Sequence, residues 1–137
     1  MVHRLARLML AAIFVFGGVD ILRHPQKRVE TATPFLESLA KKVGDSLPEQ
    51  VPTDPDTLVK LDAAVKVAAG LGLALGRFPR LSALVLAVDL IPTTLAAHSF
   101  WEHEDPTARA GQRTHFLKNL GLVGGLVIAA THSKKKS

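Results

Sequence analysis

Four stretches of the chain, 5–22, 58–76, 81–101 and 116–131, are predominantly apolar. Their lengths approach the roughly 20 residues that a helix needs to cross the hydrocarbon of a bilayer. None alternates with period two along its length, so the pattern is that of helices and not of a β-barrel. The rival reading, four buried helices of a soluble protein, runs out of covering material. In 137 residues that are 47% hydrophobic, with a mean hydropathy of +0.22, too little polar surface is left to enclose four such elements. The expectation is an all-α, single-domain integral membrane four-helix bundle.

The flanks refine this expectation. Arg4 and Arg7 ahead of an apolar core also suit a signal peptide, but the core runs out in Gly17-Gly18-Val19-Asp20 without a small-x-small cleavage pattern, which favours a retained helix. Residues 24–53 form a polar connector containing Pro25, Pro34, Pro48 and Pro52. One short amphipathic helix is expected in it, with Thr33 as cap, Pro34 as first helical residue, and Phe35, Leu36, Leu39, Ala40 and Val43 along one side up to Gly44. Such a helix can lie on a membrane surface. Asp54 followed by Pro55 is a start signal for the second long helix. The segment from Arg77 to Arg80 is so short that the helices flanking it must be antiparallel neighbours. Residues 102–113 read as a hydrophilic loop and 132–137 as a basic tail. Arg4, Arg7, Arg77, Arg80, Lys134, Lys135 and Lys136 crowd into short flanks on one side, which places both termini in the cytoplasm and makes the chain a multi-pass protein of the cell membrane. Phe100 and Trp101 then mark the opposite interface.

On this topology the polar side chains gather in the outer leaflet. Asp20 lies near the outer end of the first helix, Lys60, Asp62 and Lys66 in the outer half of the second, His98 at the end of the third, and Lys118 with Asn119 in the fourth; Asp89 alone lies near the middle. A charge at the bilayer centre costs roughly 2.5 to 3.5 kcal/mol on insertion scales, so such groups should face one another or a wet cavity. Asp62 and Lys66, one turn apart, can pair on one helix face. Two readings stay open: an outward-facing polar vestibule for a lipid headgroup, a quinone head or a small polar ligand, or side chains that snorkel to the nearby interface. Asp89 is too short to snorkel from mid-membrane and must be protonated, paired or hydrated. Pro92 frees the carbonyl of Val88, and Thr93 or Thr94 is expected to help satisfy the backbone there. Gly72 with Gly76, and Gly121 with Gly125, form GxxxG patterns that allow close backbone approach within the bundle.

Several chemistries find no support. The chain has no cysteine, which removes disulfides, thiolate metal sites, CxxC chemistry and a Cys nucleophile, so a redox role would need a partner or a borrowed cofactor. His98, His103 and His115 with Glu102, Glu104 and Asp105 lack HxxxH or HExxH spacing and read as solvated, with no metal expected. No Gly-rich phosphate loop follows a strand and no GxSxG occurs, so no catalytic residue is assigned. A formal charge of +5 and a pI near 9.9 raise nucleic acid as a partner, but the basic residues sit beside apolar runs and suit anionic headgroups, and no zinc finger, helix-turn-helix or aromatic RNA motif is present.

The run Gly70-Leu71-Gly72-Leu73-Ala74-Leu75-Gly76-Arg77-Phe78-Pro79-Arg80, then Pro92-Thr93-Thr94, His98-Ser99-Phe100-Trp101-Glu102, Phe116-Leu117-Lys118-Asn119 and Gly124-Gly125-Leu126 resemble the DoxX family, particularly its actinobacterial members, in order and over nearly the whole chain. The resemblance implies a small four-helix bacterial membrane protein. It also implies association, because relatives serve alongside thiosulfate:quinone oxidoreductase or anchor oxidative-stress assemblies that include superoxide dismutase and a sulfurtransferase. Many relatives carry an acidic residue shortly before the glycines of the second helix; this chain has Lys66 near that place and Asp62 one turn earlier, which weakens the transfer of a carboxylate-dependent reaction. By resemblance His98, Trp101, Lys118 and Asn119 are the best candidates for a ligand or partner site, and the polarity argument adds Asp89, Asp62, Lys66 and Asp20. The expected function is a membrane subunit, not an enzyme by itself, that scaffolds or serves a larger membrane, respiratory or oxidative-stress assembly together with lipids and other membrane or envelope proteins. The alternatives are a quinone- or small-molecule-binding subunit of an oxidoreductase and an accessory protein of lipid or solute transport. No intrinsic cofactor is expected; a quinone or lipid would be a bound ligand.

Overall fold

The computed structural model describes residues 1–132; the tail lysines Lys134, Lys135 and Lys136 lie outside them. Among the described residues all regular structure is helical: α1 (Val2–Arg23), α2 (Gln26–Val43), α3 (Pro55–Leu75), α4 (Pro79–Ala97) and α5 (Pro106–Thr131), with single 3-10 turns at Gly44–Ser46 and Phe100–Glu102.

Local chemistry sets the boundaries. Pro25 follows α1 and its ring disfavours a helical His24, so α1 stops there and α2 starts directly after. Asp54 caps α3 by accepting the Thr57 amide at 3.0 Å, and that bond holds its carboxyl below the ordinary carboxylate range. At the other end of α3, Gly76 adopts φ +71° and closes the helix. Phe78 follows at φ 51°, a left-handed conformation for a residue with a side chain, and Pro79 opens α4. The chain thereby reverses within three residues.

Two expectations need correction. The connector helix does not begin at Pro34. α2 runs from Gln26 through Pro34 to Val43, and the Thr33 hydroxyl donates back to the Val29 carbonyl at 2.7 Å instead of capping. Most of the segment 102–113 is also helical, because Asp105 accepts the Ala108 amide at 2.8 Å and Pro106 takes the first helical position. That is the same Asp-Pro signal that starts α3.

The four long helices pack side by side in the order α1, α3, α4, α5, with the most extensive contact between α1 and α3 and a slight one closing α5 on α1. α1 and α3 are antiparallel. A Cβ on Gly18 would lie 2.8 Å from the Ala63 carbonyl oxygen, and one on Gly70 would lie 2.8 Å from Val15 Cγ2, so these two glycines let the backbones meet. The GxxxG expectation is therefore only partly met. Gly72 does sit against Ser82, but Gly76 is a helix cap, Gly121 faces open space and Gly125 has only an ordinary contact with Leu10.

The main core joins Ala11, Phe14, Leu73, Ala83, Leu86, Ala87, Leu90 and Leu126. A smaller one, nearer the α1–α2 turn, joins Ile21, Ala32, Val59 and Ala63. Outside, among the described residues, large apolar side chains outnumber those in the core; Leu8, Met9, Phe16, Leu61, Leu71, Leu84, Val88, Ile91, Leu117 and Leu120 are all exposed. Apolar surface of that extent marks contact with a membrane or with partner proteins. By length and composition two elements can cross a membrane, Val2–Arg23 and Pro79–Glu102. α3 and α5 fall short of that measure, α3 because it carries Asp56, Lys60, Asp62 and Lys66.

Candidate functional site

α3 places Asp62 and Lys66 one turn apart on one face, and α4, running antiparallel, sets Asp89 and Thr93 opposite them with the same spacing. Lys66 is the hub and is only 6% exposed. Its Nζ donates to Asp62 Oδ2 and to Thr93 Oγ1 at 3.1 Å, and lies 3.0 Å from Asp89 Oδ2. Thr93 Oγ1 lies 3.5 Å from Asp62 Oδ1. Asp89 Oδ2 is shut off from solvent and, despite its closeness to the ammonium, is not aligned with any hydrogen-bond donor. On the α1 side the missing side chain of Gly18 brings the backbone down onto Lys66, since a Cβ there would come within 3.3 Å of Lys66 Cβ. One ammonium thus serves two carboxyl groups in a setting of low dielectric, where an unpaired charge is expensive.

Beside this cluster a groove of about 210 Å³ opens between α2, α3 and α4. Its walls are Ala32, Phe35, Leu36, Leu58, Val59, Pro92, Ala96 and Ala97, and its polar groups are Arg28, Thr31, Asp62 and Thr93. Asp62 and Thr93 belong to both the groove and the cluster, so anything held in the groove touches the hydrogen-bond network of Lys66. Sites for drug-sized ligands span roughly 300–1,000 Å³, which makes this one large enough for a polar head or a single ring and too small for a whole lipid.

The remaining candidates do not join this cluster. Asn119 is buried and donates to Thr94 Oγ1 at 3.0 Å, tying α5 to α4. His98, at the end of α4, bonds Gln112 through Nδ1 at 2.7 Å and stacks on His115 with ring centres 5.1 Å apart. Trp101 packs edge-on against Phe100 and Phe116 and is half exposed. Lys118 and Asp20 point outward. Of the residues named from the sequence, Asp62, Lys66 and Asp89 meet, and the rest lie outside this cluster.

The sequence reading missed Thr93 and Arg28 as parts of a site. The Pro-Thr-Thr sequence points to backbone relief by Thr93, but both hydroxyls of the Thr93-Thr94 pair bond side chains of neighbouring helices. The available signal was the repeated four-residue spacing, Asp62 with Lys66 and Asp89 with Thr93, on two helices already known to be antiparallel neighbours. Arg28 lies on the first turn of α2, ahead of Pro34, where the sequence alone predicts no helix.

The DoxX family model matches residues 3–99. The match spans α1 to α4 and ends before Phe100, so it includes Asp62, Lys66, Asp89 and Thr93 but not Trp101, Lys118 or Asn119, and is shorter than the resemblance noted by motif. Neither the curated proteins nor the solved structures give a significant match to the chain. With its first four helices, charged cluster included, falling inside that match, the chain belongs to the DoxX family.

Proposed function

We propose that this chain is a multi-pass membrane subunit that holds the polar head of an apolar ligand of the quinone class in the α2–α3–α4 groove, as part of a larger assembly in the bacterial cell membrane. The observation that carries the reading is the double membership of Asp62 and Thr93 in the apolar groove and in the Lys66 network. A ligand with an apolar tail reaches the groove from the hydrocarbon, and its head meets Asp62 and Thr93, with Arg28 and Thr31 also in the lining. The fit is chemical as well as steric. The cluster has one more carboxyl than its ammonium can neutralise, so it offers a place where a proton can be taken up or handed to a ligand oxygen while Lys66 keeps a partner. When bound, a quinone supplies the redox chemistry. Lys66 fixes the orientation of Asp62, Thr93 steadies Lys66, and Ala96 and Ala97 leave room for the head. Without a cysteine of its own, the chain relies on a partner for electrons, which fits a subunit of a respiratory or oxidative-stress assembly.

In the same reading all four long helices cross the bilayer with both termini cytoplasmic. The charges that keep α3 from passing as a span are neutralised within the protein: Lys60 pairs with Asp56 at 2.6 Å, and Lys66 with Asp62 and Asp89. With 21 residues at about 1.5 Å each, α3 is long enough. The test is equilibrium binding of a short-tailed quinone to the purified protein in nanodiscs. Ala96→Phe, which fills the groove without touching a charge, is expected to weaken binding by at least about tenfold, and unchanged binding would remove the proposal.

A further inference from the structure

At the opposite end of the helices the charge pattern is reversed. A cleft of about 820 Å³ lies between the start of α1, the start of α4 and the end of α5, lined by His3, Ala6, Arg7, Leu10, Phe78, Pro79, Arg80, Leu81, Gly125, Ile128, Ala129 and His132. Four of these are basic or imidazole side chains and none is acidic. Segments 1–10, 76–84 and 122–132, which build this end, contain no Asp or Glu at all. The cations here have no counter-ion among the described residues.

Their arrangement is specific. The Arg7 guanidinium rests against the cap of α3, where a Cβ on Gly76 would come within 2.9 Å of Nη2, and its Nε is shut off from solvent without a hydrogen-bond acceptor. Arg80 is steered by the His132 carbonyl, to which Nε and Nη2 donate at 3.3 and 3.1 Å. The rings of His3 and His132 lie 4.6 Å apart across the cleft. The walls are apolar and continue into the outer surface through Leu81 and Ile128, which are 60% and 69% exposed. An inorganic anion needs the charges but not the walls, whereas a neutral lipid needs the walls but not the charges.

We propose that this cleft binds one anionic phospholipid, its phosphate held by Arg7 and Arg80 and an acyl chain laid along Leu10, Leu81 and Ile128. Diester phosphates accept the forked donors of guanidinium groups, and basic residues at a membrane surface attract anionic headgroups. The bound lipid stitches α1 to α5, the helix pair whose direct contact is slight.

The experiment is native mass spectrometry of the full chain in neutral detergent with equal amounts of phosphatidylglycerol and phosphatidylcholine. One phosphatidylglycerol per chain should be retained, with at least about a tenfold preference over phosphatidylcholine. Arg80→Gln, at an exposed position, should abolish that preference while circular dichroism shows an unchanged helical fold; Arg7→Gln should do the same where it folds. Arg113→Gln, exposed and outside the cleft, should leave it intact. Equal retention of the two lipids, an equal loss in Arg113→Gln, or displacement of the lipid by millimolar inorganic phosphate would overturn the proposal.

Discussion

Around Leu73, α3 packs into an apolar core shared with Ala11 and Phe14 of α1, Ala83 and Leu86 of α4 and Leu126 of α5. Two turns earlier, around Lys66, it meets α4 through an ammonium, two carboxyls and a hydroxyl. The first region is held by shape: on the membrane reading proposed above no solvent drives apolar groups together, so what counts there is how closely side chains and backbones fit. The second is held by charge, and much of its stabilisation consists of avoiding an unpaired ion in a medium that cannot solvate it. The contrast shows where a ligand can act. A dry, filled core has no room for one, whereas the charged region sits beside a groove and contains groups that can exchange a bond with a ligand for a bond with each other.

The largest expected effect breaks the charged region. Lys66→Met leaves Asp62 and Asp89 facing each other without their cation, and should cost about 3–5 kcal/mol of stability or prevent folding, as read by thermal unfolding in detergent. A loss smaller than that of a surface substitution would mean that the cluster is wet and that charge does not hold it. Leu86→Ala probes the other region. The side chain is fully buried, and the cavity should cost about 2–5 kcal/mol in the same assay without altering ligand binding. Gly18→Val should cost about 1–3 kcal/mol by forcing α1 off α3, whereas Gly121→Ala, facing open space, should be neutral or slightly stabilising. If the two glycines behaved alike, the α1–α3 contact would not depend on backbone approach. Lys118→Ala and Asp20→Ala should change stability by less than about 0.5 kcal/mol and leave binding intact, since both side chains point outward.

The apolar region was legible in the sequence in outline, since the long apolar stretches, the Asp54-Pro55 start and the sharp turn before α4 follow from local chemistry. The glycines that matter were not. Gly18 and Gly70 belong to different helices, and a motif within one helix cannot show which glycine faces a neighbour. In the charged region the Asp62–Lys66 pair could be read from spacing alone. Its union with Asp89 and Thr93 needed the register of α3 against α4, and composition does not give register. The groove was hidden for a different reason: it depends on α2, which continues through Pro34 where sequence rules place a start. Asp105-Pro106, by contrast, was a readable signal overlooked inside a segment whose polarity suggested a loop.

The central claim is that the groove and the Lys66 cluster form one site, and infrared difference spectroscopy on binding of a short-tailed quinone tests it without any catalytic turnover. The account predicts carboxyl bands that change when the ligand binds, that shift with solvent deuteration, and that are altered in both Asp62→Asn and Asp89→Asn, although Asp89 does not line the groove. Ligand binding with no carboxyl change, or a change that survives intact in Asp62→Asn, would contradict it.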